Sequence, residues 1–74
     1  KVVFGAKVDL YDVDQDTSVS YQLVGNLEAD LRHGRISISS PMGKAMLGKL
    51  IGDEIEVVAP AGNRTYEILD VNYG

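Results

Sequence analysis

The chain has 74 residues, seven Lys and Arg against eleven Asp and Glu, and no cysteine. A domain of this size buries only about 60% of the surface its unfolded chain exposes, so the sequence has room for one small core and no second domain. A formal net charge of -4 excludes a general nucleic-acid binder, which needs a Lys/Arg surplus to neutralise phosphates. The lack of cysteine excludes disulfides and thiolate metal sites.

No apolar run approaches the roughly 18 residues of a membrane span, and no signal-peptide pattern opens the chain. A soluble cytoplasmic domain is the expectation. The sequence starts at Lys1, already inside the apolar approach Val2, Val3, Phe4. That start reads as a fragment whose N-terminal partner domain lies outside these residues; tag removal from a small protein would look the same. Arg32, His33, Arg35, Lys44 and Lys49 gather in the middle third. A solvated set of loop charges accounts for them, and a locally basic face on an acidic domain stays open.

In chain order, residues 6–13 alternate Val8 and Leu10 with Lys7, Asp9 and Tyr11, the period-2 pattern of a half-buried strand. Residues 14–17 are a polar turn, and residues 18–24 resume alternation with Val19, Tyr21 and Leu23 on one side. Two such runs joined by a few polar residues predict a hairpin. Gly25 and Asn26 break it. Residues 27–32 carry a short helical or turn pattern, with Leu27 and Leu31 at i and i+4, closed by His33 and Gly34.

Residues 35–39 predict a third strand, Ile36 and Ile38 alternating with Ser37 and Ser39. Ser40 then stands where an N-cap belongs and Pro41 at the first helical position, where a missing N–H costs nothing. Met42, Ala45, Met46 and Leu47 fill one face of about two helical turns, and Gly48 fits the stop. So short a helix must be held by a sheet. After a turn at residues 52–54, Ile55, Val57 and Ala59 predict a fourth strand. Residues 60–63 form a turn in which Gly62 and Asn63 tolerate positive φ. Residues 64–71 predict the last strand, with Tyr66 and Ile68 in phase and Leu69 and Val71 out of it. A bulge near Leu69 and Asp70 reconciles the phase. The sum is α+β, about five strands in a curved antiparallel sheet around one short helix.

The chemistry-bearing side chains are sparse. Asp12, Asp14 and Asp16 imitate the start of a calcium loop, but the glycine at the sixth position and the glutamate at the twelfth, where Leu23 falls, are missing. A solvated turn explains them. His33, the one histidine, has no second histidine or cysteine to complete a metal or nucleophilic set, and reads as a surface residue. No Gly-x-Ser-x-Gly elbow occurs. Gly43 and Gly48-Lys49 have the spacing of a phosphate loop, but helix formers lie between them and Leu50 stands where Ser or Thr should follow. Nothing supports an active site, and no metal is expected. The exposed junction Ser39, Ser40, Pro41 remains, with Met42 beside it. Methionine suits adaptable contact surfaces and also plain core filling, the better reading for Met46. Partner contact and simple capping stand level for Pro41 and Met42 on these grounds.

These residues carry a resemblance. Val3-Phe4-Gly5-Ala6, Tyr21-Gln22-Leu23-Val24-Gly25, Glu28-Ala29-Asp30, residues 36–49, Gly52-Asp53-Glu54, Pro60-Ala61-Gly62 and residues 66–71 with Tyr73 occur in the order and spacing of a known domain. The chain resembles, over essentially all its length, the C-terminal globular domain of the bacterial transcript-cleavage factors GreA and GreB, and is nearer to GreA.

The resemblance implies an FKBP-like fold, and a monomer is the expectation beside it. The resemblance also implies docking on the coiled coil at the rim of the secondary channel of RNA polymerase, on the β′ subunit. By resemblance, Ser39, Ser40 and Pro41 supply that contact, with Met42 as an apolar neighbour. Independently of the resemblance, the charges of Arg35 and Lys44 suit steering toward an acidic partner surface. Some relatives carry an acidic residue where Ser39 stands. The family's N-terminal coiled coil, whose acidic tip helps hold the polymerase's catalytic magnesium, has no counterpart in residues 1–74. The expectation is therefore a binding module without cofactor or catalysis of its own, from a factor that promotes cleavage of backtracked RNA. Paralogues that inhibit polymerase share the domain, and an FKBP-type prolyl isomerase is the enzyme alternative. A fold does not confer a function.

Overall fold

The computed structural model describes residues 1–58 and 60–73. Its elements are β1 (Lys7–Asp12), β2 (Thr17–Val24), β3 (Arg35–Ser37), α1 (Pro41–Met46), β4 (Glu54–Val57) and β5 (Arg64–Asn72). Two short 3₁₀ turns, Asn26–Glu28 and Leu31–His33, join β2 to β3. One five-stranded sheet runs in the order β3-β2-β1-β5-β4, so β1 is central and the edges are β3 and β4. The short helix packs against both edge strands. The α+β reading of a five-stranded sheet around one short helix holds.

The alternating residues do what their period requires. Val8 and Leu10 of β1, Leu23 of β2, Ile36 of β3, Ile55 of β4, and Tyr66 and Ile68 of β5 point to one side and form the core with Met46 of α1. Val2 and Ala6 complete it from the N-terminal arm. The arm is fixed by Val2 N–H donating to the Lys49 carbonyl at 2.8 Å and by Gly48 N–H donating to the Val2 carbonyl at 2.8 Å. β1 and β2 form the expected antiparallel hairpin, and Asp16 takes positive φ in its turn. The β5 bulge is also present. Asp9 pairs with Asp70 while the next residue, Leu10, pairs with Ile68, so Leu69 is the extra residue and its side chain is exposed.

The structure departs from the sequence reading at several points, and β3 ends at Ser37 rather than Ser39. β3 pairs with β2 in parallel, while the other pairings are antiparallel. Residues 25–34, spent on two 3₁₀ turns, carry the chain back to the start of the edge, which a tight hairpin turn could not do. Leu27 and Leu31 do not share a helical face, because Ala29 is extended between the two turns, and both are exposed.

Leu47 leaves the packed face because α1 ends at Met46, with Gly48 at φ +84° ending the turn as expected. Asp12 is not part of a solvated turn. It is 3% exposed and accepts from Asp14 N–H, Gln15 N–H and Arg64 Nη1 at 3.0, 3.1 and 3.3 Å. Strand β4 ends at Val57, and Ala59 lies outside the described residues.

Candidate functional site

The strand-to-helix junction is built by Ser37 and Ser40. The Ser40 hydroxyl donates to the Ser37 carbonyl at 2.7 Å and accepts the Gly43 N–H at 3.0 Å, so it caps the helix and ties its first turn to the end of β3. The Ser40 backbone N–H reaches the same Ser37 carbonyl at 3.0 Å, and the Ser40 carbonyl takes Lys44 N–H at 2.9 Å. With the chain anchored there, Pro41 at the first helical position is exposed and Met42 is half-buried against the core.

Both border an apolar groove of roughly 430 Å³. Pro41 and Met42 form its helix wall, Ile36 lies on the strand side, Leu31 comes from the second 3₁₀ turn, and Val57, Val58 and Pro60 come from the end of β4. The groove therefore lies between the two edge strands of the curled sheet, where no further strand covers the interior. None of its lining residues is aromatic. Arg35 and Asp30 stand among them as its charged members. Asp30 is engaged locally, accepting Arg32 N–H at 3.1 Å and lying 2.7 Å from His33 Nδ1. His33 is a surface residue, as its sequence context indicated.

Ser40, Pro41 and Met42 are thus brought together on one groove, and Ser39 is not. Ser39 Oγ joins Ser37 Oγ at 2.8 Å and donates to Asn26 Oδ1, in an exposed polar cluster that meets the groove only through Ser37. Leu31, Val57 and Val58 were missed as groove residues. Their signal was present: Val57 and Val58 are consecutive apolar residues where a strict alternation would place one, and Val58 is 67% exposed.

The two groups with displaced titration lie elsewhere. The Asp16 carboxylate bonded to the Tyr11 hydroxyl raises Tyr11, and burial, aided by Asp12, raises Tyr66. Among the described residues no group of three His, Asp or Glu side chains could hold a metal ion. No helix there is long and apolar enough to cross a membrane.

The family model described as "Transcription elongation factor, GreA/GreB, C-term" matches residues 1–73. The chain belongs to this family. GreA of Allorhizobium ampelinum is 58% identical over 74 residues, covering 100% of this chain and 47% of that protein. GreA of Syntrophotalea carbinolica is 48% identical over 73 residues, 99% of this chain and 46% of that protein. The chain spans about half the length of the curated relatives it matches.

Among solved structures, Thermus aquaticus Gfh1 superposes with a TM-score of 0.85 at 32% identity, over 96% of this chain and 47% of that one. The GreA/GreB factor of Nitrosomonas europaea superposes with a TM-score of 0.80 at 32% identity, over 97% of this chain and 60% of that one. In this GreA/GreB C-terminal domain, the groove at the start of α1 combines a rigid anchored junction with exposed apolar side chains.

Proposed function

We propose that this chain is the RNA polymerase-docking domain of a bacterial transcription elongation factor that promotes cleavage of backtracked nascent RNA. The partner is the coiled coil at the rim of the secondary channel, on the β′ subunit, and the contact is centred on Ser40, Pro41 and Met42. The domain acts as a cytoplasmic monomer that binds and does not itself catalyse. Cleavage belongs to the polymerase and its magnesium, aided by an N-terminal coiled coil of the parent protein, and the domain needs no cofactor.

The observation that carries the reading is the groove. Pro41 is exposed on a capped junction, so its ring can enter a partner's apolar surface without loosening the fold, while Met42 offers an adaptable thioether beside it. Arg35 on the same groove and exposed Lys44 supply positive charge on a domain otherwise acidic, which favours an acidic helical partner.

The GreA relatives at 58% and 48% identity support a cleavage-promoting parent. A prolyl isomerase is disfavoured because its pocket chemistry uses aromatic walls and this groove has none.

The test is binding of the 74-residue chain to the isolated β′ rim coiled coil, native beside Pro41→Ala. Saturable binding weakened tenfold or more, with unfolding unchanged, supports the contact; about 1.4 kcal/mol corresponds to each tenfold. Binding unaffected by the substitution moves the contact elsewhere, and no binding overturns the docking reading for this domain alone.

A further inference from the structure

We infer that Met42 is a selective oxidation site through which peroxide turns off partner docking at the groove; the docking half of the inference rests on the function proposed above. The chain carries two methionines and no cysteine, so its sulfur chemistry is confined to Met42 and Met46. The fold separates them sharply. Met46 is fully buried in the core at 0% exposure, whereas Met42, one helical turn earlier, is only half-buried and forms a wall of the groove.

Oxidation at sulfur needs an approach path for the oxidant, and only Met42 has one. A hydroperoxide transfers one oxygen to the thioether sulfur in a two-electron step. The S=O bond forms, the O–O bond breaks, and hydrogen peroxide leaves as water. The flexible apolar side chain becomes a polar, chiral one, and a sulfoxide reductase can reverse the change.

The position makes this consequential. Met42 shares the groove with Ile36, Leu31 and Val57, whose side chains offer a sulfoxide oxygen no hydrogen bond. The Ser37 and Ser40 hydroxyls that also line it already donate to Asn26 and to the Ser37 carbonyl, which leaves Arg35 as the one uncommitted side-chain donor of the lining. An apolar partner side chain seated on the aliphatic wall would strip that oxygen of water. Unoccupied, the groove leaves it in water, so oxidation penalises the complex far more than the free fold.

The experiment treats the 74-residue chain with hydrogen peroxide and follows each methionine by mass after trypsin digestion. Cleavage at Arg35, Lys44 and Lys49 puts Met42 and Met46 on separate peptides. We expect Met42 to oxidise at least about tenfold faster than Met46 in the folded chain, and the two rates to converge in denaturant. Equal rates in the folded chain overturn the inference.

The oxidised chain should bind the β′ rim coiled coil at least about tenfold more weakly. Met42→Leu, whatever its own affinity, should not respond to peroxide. Undiminished binding after complete Met42 oxidation overturns the switch.

If the untreated chain does not bind, the docking reading fails by itself. The oxidation rates and the methyl chemical shifts of Ile36 and Val57 then still decide whether Met42 is the selective site and whether its oxidation alters the groove; unshifted methyls overturn that part.

Discussion

A Cβ placed on Gly43 would stand 2.1 Å from the carbonyl oxygen of Ser37. The first turn of α1 lies directly on the backbone at the end of β3, and a hydrogen is all that fits between them. Gly43→Ala should therefore push the helix off the strand and destabilise the fold by about 3 kcal/mol, the upper range for overpacking. Denaturant unfolding measures it, and a change under about 0.5 kcal/mol would show that the junction yields.

Ser40 and Pro41 are neighbours with opposite expected behaviour. The Ser40 hydroxyl is engaged on both sides, by the Ser37 carbonyl and the Gly43 amide, so Ser40→Ala should cost about 1 kcal/mol of stability through loss of the cap. Pro41→Ala should cost only a few tenths and act on binding instead. Thermal unfolding of the two variants beside their affinities separates a structural residue from a contact residue.

Asp12 is expected to be a stability residue with no part in docking. It is buried at the end of β1, holding two turn amides and Arg64. Asp12→Ala removes three hydrogen bonds whose donors can turn to water, and should cost about 1–2 kcal/mol. A variant as stable as the native chain in urea would show that water replaces the carboxylate.

Alkaline pH should loosen the same end of the sheet. Tyr11 and Tyr66 are both raised above 10.0, Tyr11 chiefly by its hydrogen bond to the Asp16 carboxylate and Tyr66 chiefly by burial. A raised pKa means the folded state holds the phenolic proton more tightly than the unfolded state does. The stabilisation is complete below about pH 10 and lost as pH rises through the folded values. Unfolding midpoints falling above pH 10, in step with tyrosinate absorbance, are the expected result; a flat profile would contradict it.

Glu54 of β4 pairs directly with Glu67 of β5. Like charges at opposed positions of an antiparallel pair repel, so Glu54→Lys should stabilise the edge by about 0.5 kcal/mol. High salt should erase most of that gain, since both side chains reach solvent. A gain independent of salt would point to packing instead.

The sequence by itself determined the elements and much of their detail. Period-2 alternation marked the strands, Ser40 and Pro41 marked the helix start, and the phase slip at Leu69 marked the bulge, because each is written in a few adjacent residues. It also carried the family, through the order and spacing of motifs that are individually weak. Pro41 and Met42 were legible as candidates; the structure adds that Ser40 is the cap and that Pro41 stands exposed beside the groove.

What the tertiary structure alone decided depends on residues far apart in the chain. The parallel seating of β3 follows from how residues 25–34 fold back, which no alternation pattern encodes. The burial of Asp12 needs Arg64 from the far end of the chain. The groove exists only because the curling sheet leaves its two edge strands, β3 and β4, facing each other across the helix start. That closure brings Leu31, Val57 and Val58 beside Met42 and leaves Ser39 outside, and local pattern is blind to it because burial there is set by strands that meet only in space.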